Sequence, residues 1–552
     1  MKAPTTSRSF PMTTPASHLR GSKRAALAAT LLAALASINA HAANYTFDGT
    51  TSDDWATGSN WAGGVAAPAN GTFGNRIAVN GDLLYTASTS TTGATHLNPN
   101  DRGFLIGTVN DVTATFTIQG GSFSTDGKAG SMDVMGSGAG TNVTVTVDGG
   151  NFSSVEGLIV NFGSAGTQAT FNVNSGSATI SKLDINPNTG SGATGTVNVS
   201  GGSLVVTTLS STPSGTGESV VNVTGGTMAV TTLNTGLTTR SGGLSTINIG
   251  GGASTVETLN LGAYSTGSLS GISELNVTNG SLAVQTLAVT ASGGGSATNS
   301  STINLDGGTL GVATLTAIAG AKGVATFNFN GGTLRIDGGS LNLNGFTDAF
   351  VKAGGAVIDT NGNNATIAQA LLTDTVSTGG GLTKSGAGTL TLSGDNTYTG
   401  PTTLNTGTLA LGAADRIADV SSLVMAGGTF ATNGFNETLG TLVLTATSTI
   451  DLGDGASALL FADSSAAIWS DSVSLSFVNF TEGVDSIRIG TDANGLSEAQ
   501  LSNITINGLA AAINSGGYLT AIPEPSTYAV VAGAASLFLV AGFRRRSARS
   551  HS

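Results

Sequence analysis

The chain contains no cysteine, so no disulfide closes its loops and stability must come from backbone ladders and packing. Charged residues make up 9% and aromatic residues 5%, which leaves little for a salt-bridged surface or a core built on large rings. Nine of the 20 basic residues lie in the two ends, before Ala43 and after Pro525. The stretch between them holds the other 11 against all 32 acids, a net charge of −21. Such a body is repelled by nucleic acid and by anionic lipid, and nucleic acid is not expected as a partner. Of the four histidines, His18, His41 and His551 lie in the ends, leaving His96 alone. That argues against a Ser-His-Asp triad or a multi-histidine metal site. Long apolar runs occur only near the ends.

What the chain has in excess is glycine, 82 residues, set in a repeating pattern rather than scattered. In Thr302 to Leu315, TINLDGGTLGVATL, Ile303 and Leu305 alternate with Thr302 and Asn304; Gly307 and Gly308 bend the chain before Leu310 and Val312 resume the alternation. The second glycine of this bend recurs at Gly121, Gly150, Gly176, Gly202, Gly226, Gly252, Gly280, Gly308 and Gly332, steps of 24 to 29 residues. A period of that length predicts a solenoid, each coil being three short strands plus turns. Stacked antiparallel hairpins are the alternative, because a Gly-Gly bend also suits a two-residue hairpin.

A column of asparagines decides between them. The position of Asn304 is also Asn at Asn172, Asn198, Asn222, Asn248, Asn276 and Asn328, with Thr117 and Thr146 in the two earliest copies. Like residues stack on like only if coils lie in parallel register, about 4.8 Å apart, where the amides form a hydrogen-bonded ladder. Each Asn sits between apolar neighbours and so faces outward; a ligand-binding row is the competing reading.

The order along the chain is then as follows. Residues 1–42 carry a basic segment, an apolar run from Ala25 to Ile38 and small residues at Ala40 and Ala42, the pattern of a secretory signal peptide cleaved after Ala42, with Met12 an alternative start. Residues 43–110 lack the repeat and hold Trp55 and Trp61, which read as an N-terminal cap or, alternatively, a carbohydrate-stacking site. Repeats of about 26 residues fill 111–345, and further coils fill 346–411. Residues 412–522 read as a β-rich C-terminal cap with Trp469, Phe477 and Phe480 as apolar plugs. From Pro523, Glu524 and Pro525 the chain runs into an apolar stretch, Tyr528 to Phe543, and then Arg544, Arg545, Arg546 and Arg549. Its roughly 16 residues at about 1.5 Å each make a helix of about 24 Å, a short transmembrane span with the arginines on the cytoplasmic side.

Two stretches resemble known families. Gly381 to Leu411, GLTKSGAGTLTLSGDNTYTGPTTLNTGTLAL, resembles the autotransporter-associated β-strand repeat, departing mainly at Pro401. The resemblance implies a β-helical surface or secreted region, although no membrane barrel follows in the 110 or so residues before Pro523. The order Pro-Glu-Pro, apolar helix, arginine cluster over 523–552 resembles the PEP-CTERM sorting signal of Gram-negative bacteria. It implies processing by a membrane-embedded exosortase near Pro523 to Pro525, transient anchoring in the inner membrane, and delivery to the cell surface or outside it, often beside exopolysaccharide. A plain single-span anchor is the alternative.

The fold expected is therefore all-β: a right-handed parallel β-helix with an N-terminal signal helix and a C-terminal transmembrane helix. The function expected is a non-enzymatic exported scaffold or adhesin. Its partners would be signal peptidase and the secretion machinery, the exosortase and extracellular polysaccharide. No cofactor or metal is expected, though acidic turns such as Asp451 to Gly455 leave calcium open. The competing expectation is a polysaccharide-active enzyme on the same fold. It would need paired carboxylates, and the close pairs, Asp53 with Asp54 and Asp451 with Asp454, lie in turn-forming sequence.

Overall fold

The computed structural model describes residues 110–111, 113–125 and 132–523, apart from 164–165, 186–191, 214, 237–241, 266–270 and 294–297, together with short strands at 45–47, 78–79, 82–85 and 105–106. Met1–Asn44 is a separate unit, and the unit treated below begins at Tyr45. Ala40, Ala42, Trp55, Trp61, Asp53, Asp54, His96, Glu524, Pro525 and Arg544 to Arg546 lie outside the described residues, and so do the expected signal helix and transmembrane helix. No helix among the described residues is long and apolar enough to cross a membrane.

The strands alternate because their sequences do. Gly271–Val277, GISELNV, buries every second residue, and so does Asn299–Leu305, NSSTINL. Each strand pairs in parallel with its counterpart one coil later: Ile247 sits beside Leu275, Leu275 beside Ile303 and Ile303 beside Phe327. All four are essentially inaccessible. The result is a parallel β-solenoid, not a stack of hairpins, since the strands flanking each Gly-Gly bend belong to different ladders.

Three ladders run along the stack. The first face carries Thr194–Val199, Gly242–Ile249 and their counterparts. The second and third faces share continuous strands such as Ser203–Ser211 and Thr227–Thr235, whose register skips Thr207 and Thr231 at the corner between them. Leu204, Met228, Leu282 and Leu310 face inward from the second face, and Leu209, Leu233, Leu259 and Leu287 from the third. Opposed by the first face, they make one contiguous core that extends to Leu519.

The bend from first to second face needs glycine for two reasons. At Gly280 φ is +69°, and a Cβ there would stand 2.7 Å from the Gly252 carbonyl oxygen of the coil below. Both the left-handed backbone and the close approach of stacked turns forbid a side chain.

Coils change length along the chain. Equivalent asparagines are 24 to 28 residues apart, whereas the equivalent corner hydroxyls of Ser422 and Thr441 are 19 apart. Coiling runs well past the boundary at 412 that the sequence suggested. Thr429–Ala431, Ser448–Asp451, Leu475–Val478 and Ile504–Ile506 continue the third face in parallel register. Closure is confined to the end of the segment. Asn507 and Gly508, both at positive φ, turn the chain into Leu509–Ile513, which pairs antiparallel with Ile504–Ile506 and then with Leu519–Ala521. This meander covers the end of the third face, so the last strand there presents no free edge to another chain. Of the three expected plugs, Phe477 is fully buried in a coil, while Trp469 and Phe480 pack half-buried against the core.

Candidate functional site

Two arrangements of polar groups stand out against this apolar stack. The first is on the outside of the first face. There the seven asparagines form one column, half-buried, each Nδ2 donating to the Oδ1 of the coil before: Asn198 to Asn172, Asn222 to Asn198, Asn248 to Asn222, Asn276 to Asn248, Asn304 to Asn276 and Asn328 to Asn304, all 2.7–2.8 Å. The column starts on a hydroxyl, with Asn172 donating to Thr146 Oγ1 at 3.3 Å. Every bond points the same way, so the amide dipoles reinforce one another. A second, shorter ladder on the third face, Asn260 to Asn234 at 2.7 Å, escapes sequence reading because it has only two members.

The second arrangement is internal and belongs to the segment 381–411. Lys384 is fully buried, its Nζ donating to Thr360 Oγ1 (3.0 Å) and to the carbonyls of Ser385 (2.8 Å), Gly386 (2.7 Å) and Thr406 (3.1 Å). One ammonium thereby ties three successive coils together. Burial lowers its pKa to about 8, with Asp359 opposing the shift. Asn396 bridges coils in the same way, accepting from Leu371 N and donating to Arg416 O at 2.8 and 2.7 Å. Tyr398 is wholly buried, its hydroxyl 2.7 Å from Thr402 Oγ1, and burial holds the phenol protonated above its ordinary range. One coil on, buried Glu437 accepts from Arg416 N (2.9 Å) and Ile417 N (3.3 Å). Burial raises its pKa to about 8 despite those bonds, helped by Asp415 and Asp419. Sequence reading singled out none of these four side chains. The only signal was an ionisable residue at an inward position of an alternating strand, as Lys384 is in Leu382–Ser385.

The carboxylates considered for catalysis do other work. Asp451 Oδ1 accepts from Gly453 N and from Asn479 Nδ2, at 2.9 and 2.7 Å, which pins a turn to the next coil, and Asp454 is exposed in that turn. No group of three or more His, Cys, Asp or Glu side chains able to hold a metal ion occurs among the described residues. Pro523 is exposed, two residues after the last strand.

Two surface hollows lie among the described residues. A groove of about 340 Å³ follows the corner between second and third faces, with Val205, Ala229 and Ala283 on its floor and Thr207, Glu257 and Gln285 along its edge. Across Gly311 stands the Arg335–Asp337 ion pair, with contacts of 2.5 and 2.9 Å. The other hollow, also about 340 Å³, lies on the first face near the C-terminal closure and contains Arg488, Asp419, Asp463 and Asp492.

The passenger-associated-transport-repeat family matches residues 382–411, the stretch that holds Lys384, Asn396 and Tyr398. No curated protein and no solved structure matches the chain. A parallel β-solenoid with such a repeat fits a surface or secreted structural protein, and the repeat suggests an exported one.

Proposed function

We propose that the chain is a non-enzymatic display scaffold, exported behind an N-terminal signal and sorted through its PEP-CTERM-like end by an exosortase. Transient inner-membrane anchoring would precede delivery to the surface or extracellular matrix. The observation that carries this reading is where the polar chemistry goes. The asparagine column and the internal Lys384, Asn396 and Glu437 contacts all join coil to coil. The outer faces carry Thr, Ser and Asn at regular spacing, a low-charge surface that can hydrogen-bond polysaccharide at many weak points, where multivalency supplies affinity. Adhesion would follow from such contacts.

Cell fractionation with surface labelling tests the reading. The scaffold should be found on the surface or in the matrix, and quantitative retention in the inner membrane would refute it. The competing enzyme reading is tested separately by screening uronic-acid and neutral polysaccharides for turnover. Turnover abolished by Asp451→Asn or Asp454→Asn would overturn the non-enzymatic assignment.

A further inference from the structure

The asparagine ladder is built of amides open to one slow reaction, attack on the side-chain carbonyl carbon by the backbone nitrogen of the next residue. A bulky, locked successor blocks it. Each ladder asparagine is followed by a buried Val, Ile, Leu or Phe, as Asn248 is by Ile249 and Asn328 by Phe329. Asn279 is different. It is exposed at the bend from first to second face, in the rank that Gly251 and Gly307 occupy one coil before and after, and its successor is Gly280. Gly280 N donates to Asn279 Oδ1 at 2.9 Å, while the ladder bonds pass on either side, from Thr278 N to Ile249 O and from Ser281 N to Gly252 O. Among the described residues no other Asn-Gly pair turns its glycine nitrogen onto the preceding amide.

Three other Asn-Gly pairs show the contrast. Asn330 Nδ2 donates to Asp306 Oδ1 (2.9 Å), its Oδ1 accepts from Gly354 N (3.0 Å), and Gly331 N donates to Gly355 O (2.8 Å). Asn433 Nδ2 donates to Leu411 O (2.9 Å) and Gly434 N to Leu452 O (2.7 Å). Asn507 makes both its amide bonds to the Phe480 backbone, at 2.7 and 3.2 Å. At these three, attack must first break contacts between coils. At Asn279 the reacting groups are already adjacent and only their mutual hydrogen bond is lost, the arrangement that proximity rewards.

We propose that Asn279 is a site of spontaneous backbone modification. Gly280 N gives its proton to hydroxide and bonds to Asn279 Cγ, Nδ2 leaves as ammonia with a proton from water, and water then opens the succinimide to aspartate or isoaspartate. Isoaspartate adds one methylene to the main chain. The next turn leaves no room for it, since a Cβ on Gly308 would already stand 2.8 Å from Asn279 C and 3.0 Å from its Cα. Ageing therefore loosens the stack at this bend, wherever the chain is delivered. The test is incubation of the full chain at mildly alkaline pH, followed by peptide mapping, with isoaspartate located by enzymatic methylation. Asn279 should convert about tenfold or more faster than Asn330, Asn433 or Asn507, and the melting temperature should fall as it does. Asn279→Gly, which carries the residue of the coils on either side, should fold as the parent does and keep its melting temperature on ageing. In denaturant the four sites should convert at similar rates, because folded contacts set the order. Equal rates in the folded chain, an intact Asn279 beside a converted Asn330, Asn433 or Asn507, or the same preference for Asn279 in denaturant overturns the proposal. A melting temperature unmoved by full conversion refutes the loosening.

Discussion

Lys384 and Glu437 are the two residues whose chemistry departs furthest from their sequence appearance, and they pull stability in opposite directions with pH. Glu437 has its folded pKa raised from 4.5 to about 8. The folded state therefore holds a proton that the unfolded state has released. Its contribution is complete below about pH 4.5 and is lost as pH rises to 8, by at most about 1.4 kcal/mol per pH unit. Lys384 has its folded pKa lowered from 10.5 to about 8. Here the unfolded state holds the extra proton, and stability rises between pH 8 and 10.5. The two together place a minimum near pH 8. Denaturant titrations across pH 4 to 11 should show it, with Glu437→Gln removing the acid-side slope and Lys384→Met the alkaline one. A flat profile in the parent protein would contradict both assignments. Lys384→Met should also cost about 1–3 kcal/mol at pH 7, because it removes the bonds that tie Thr360, Gly386 and Thr406 across three coils. In the sequence the only trace of this is the position of Lys384, two residues after Leu382 on the inward side of an alternating strand; its partners appear only once the coils on either side are in place.

At the scale of strand and turn the sequence spoke most clearly, and where it failed the reason is repeat length. In-register asparagines required parallel stacking, and the ladder bonds show what they join. Replacing Asn248 and Asn276 together with Ala removes three of those bonds, so a loss of about 2–3 kcal/mol is expected. A melting curve that does not move would mean the ladder adds nothing. Glycine at the bend allows a sharper contrast. Gly280→Ala meets stacked backbone, whereas Gly339, at φ +60°, has nothing within 4 Å of a built Cβ. Gly339→Ala should cost only the left-handed strain, about 1–2 kcal/mol, and Gly280→Ala clearly more. Equal costs would show that the close turn-to-turn approach is immaterial. From residue 371 to 506 the strands shrink to three or four residues, too short for alternation to be read, and the coils lose a fixed length, 19 residues from Leu423 to Leu442 but 29 from Leu475 to Ile504. Residues 412–506 therefore passed for a cap while being coils. The true closure was signalled by Asn507-Gly508, a two-residue hairpin turn between Ile506 and Leu509.

For the molecule as a whole, a stack whose coils contact only their neighbours has no single place that must be catalytic, and its stability is a sum of like interfaces. That organisation suits display. The repeat at 382–411 adds internal ties where coils shorten, and the antiparallel closure ends the stack.

Delivery is the central claim, because a scaffold acts only where it is placed. The most direct measurement is mass spectrometry of the mature chain recovered from cells, read at its C-terminus. The expected result is a terminus near Pro523 to Pro525 in surface or extracellular material, with the peptide containing Arg544, Arg545 and Arg546 absent. A mature protein still ending at Ser552 in those fractions would contradict the account.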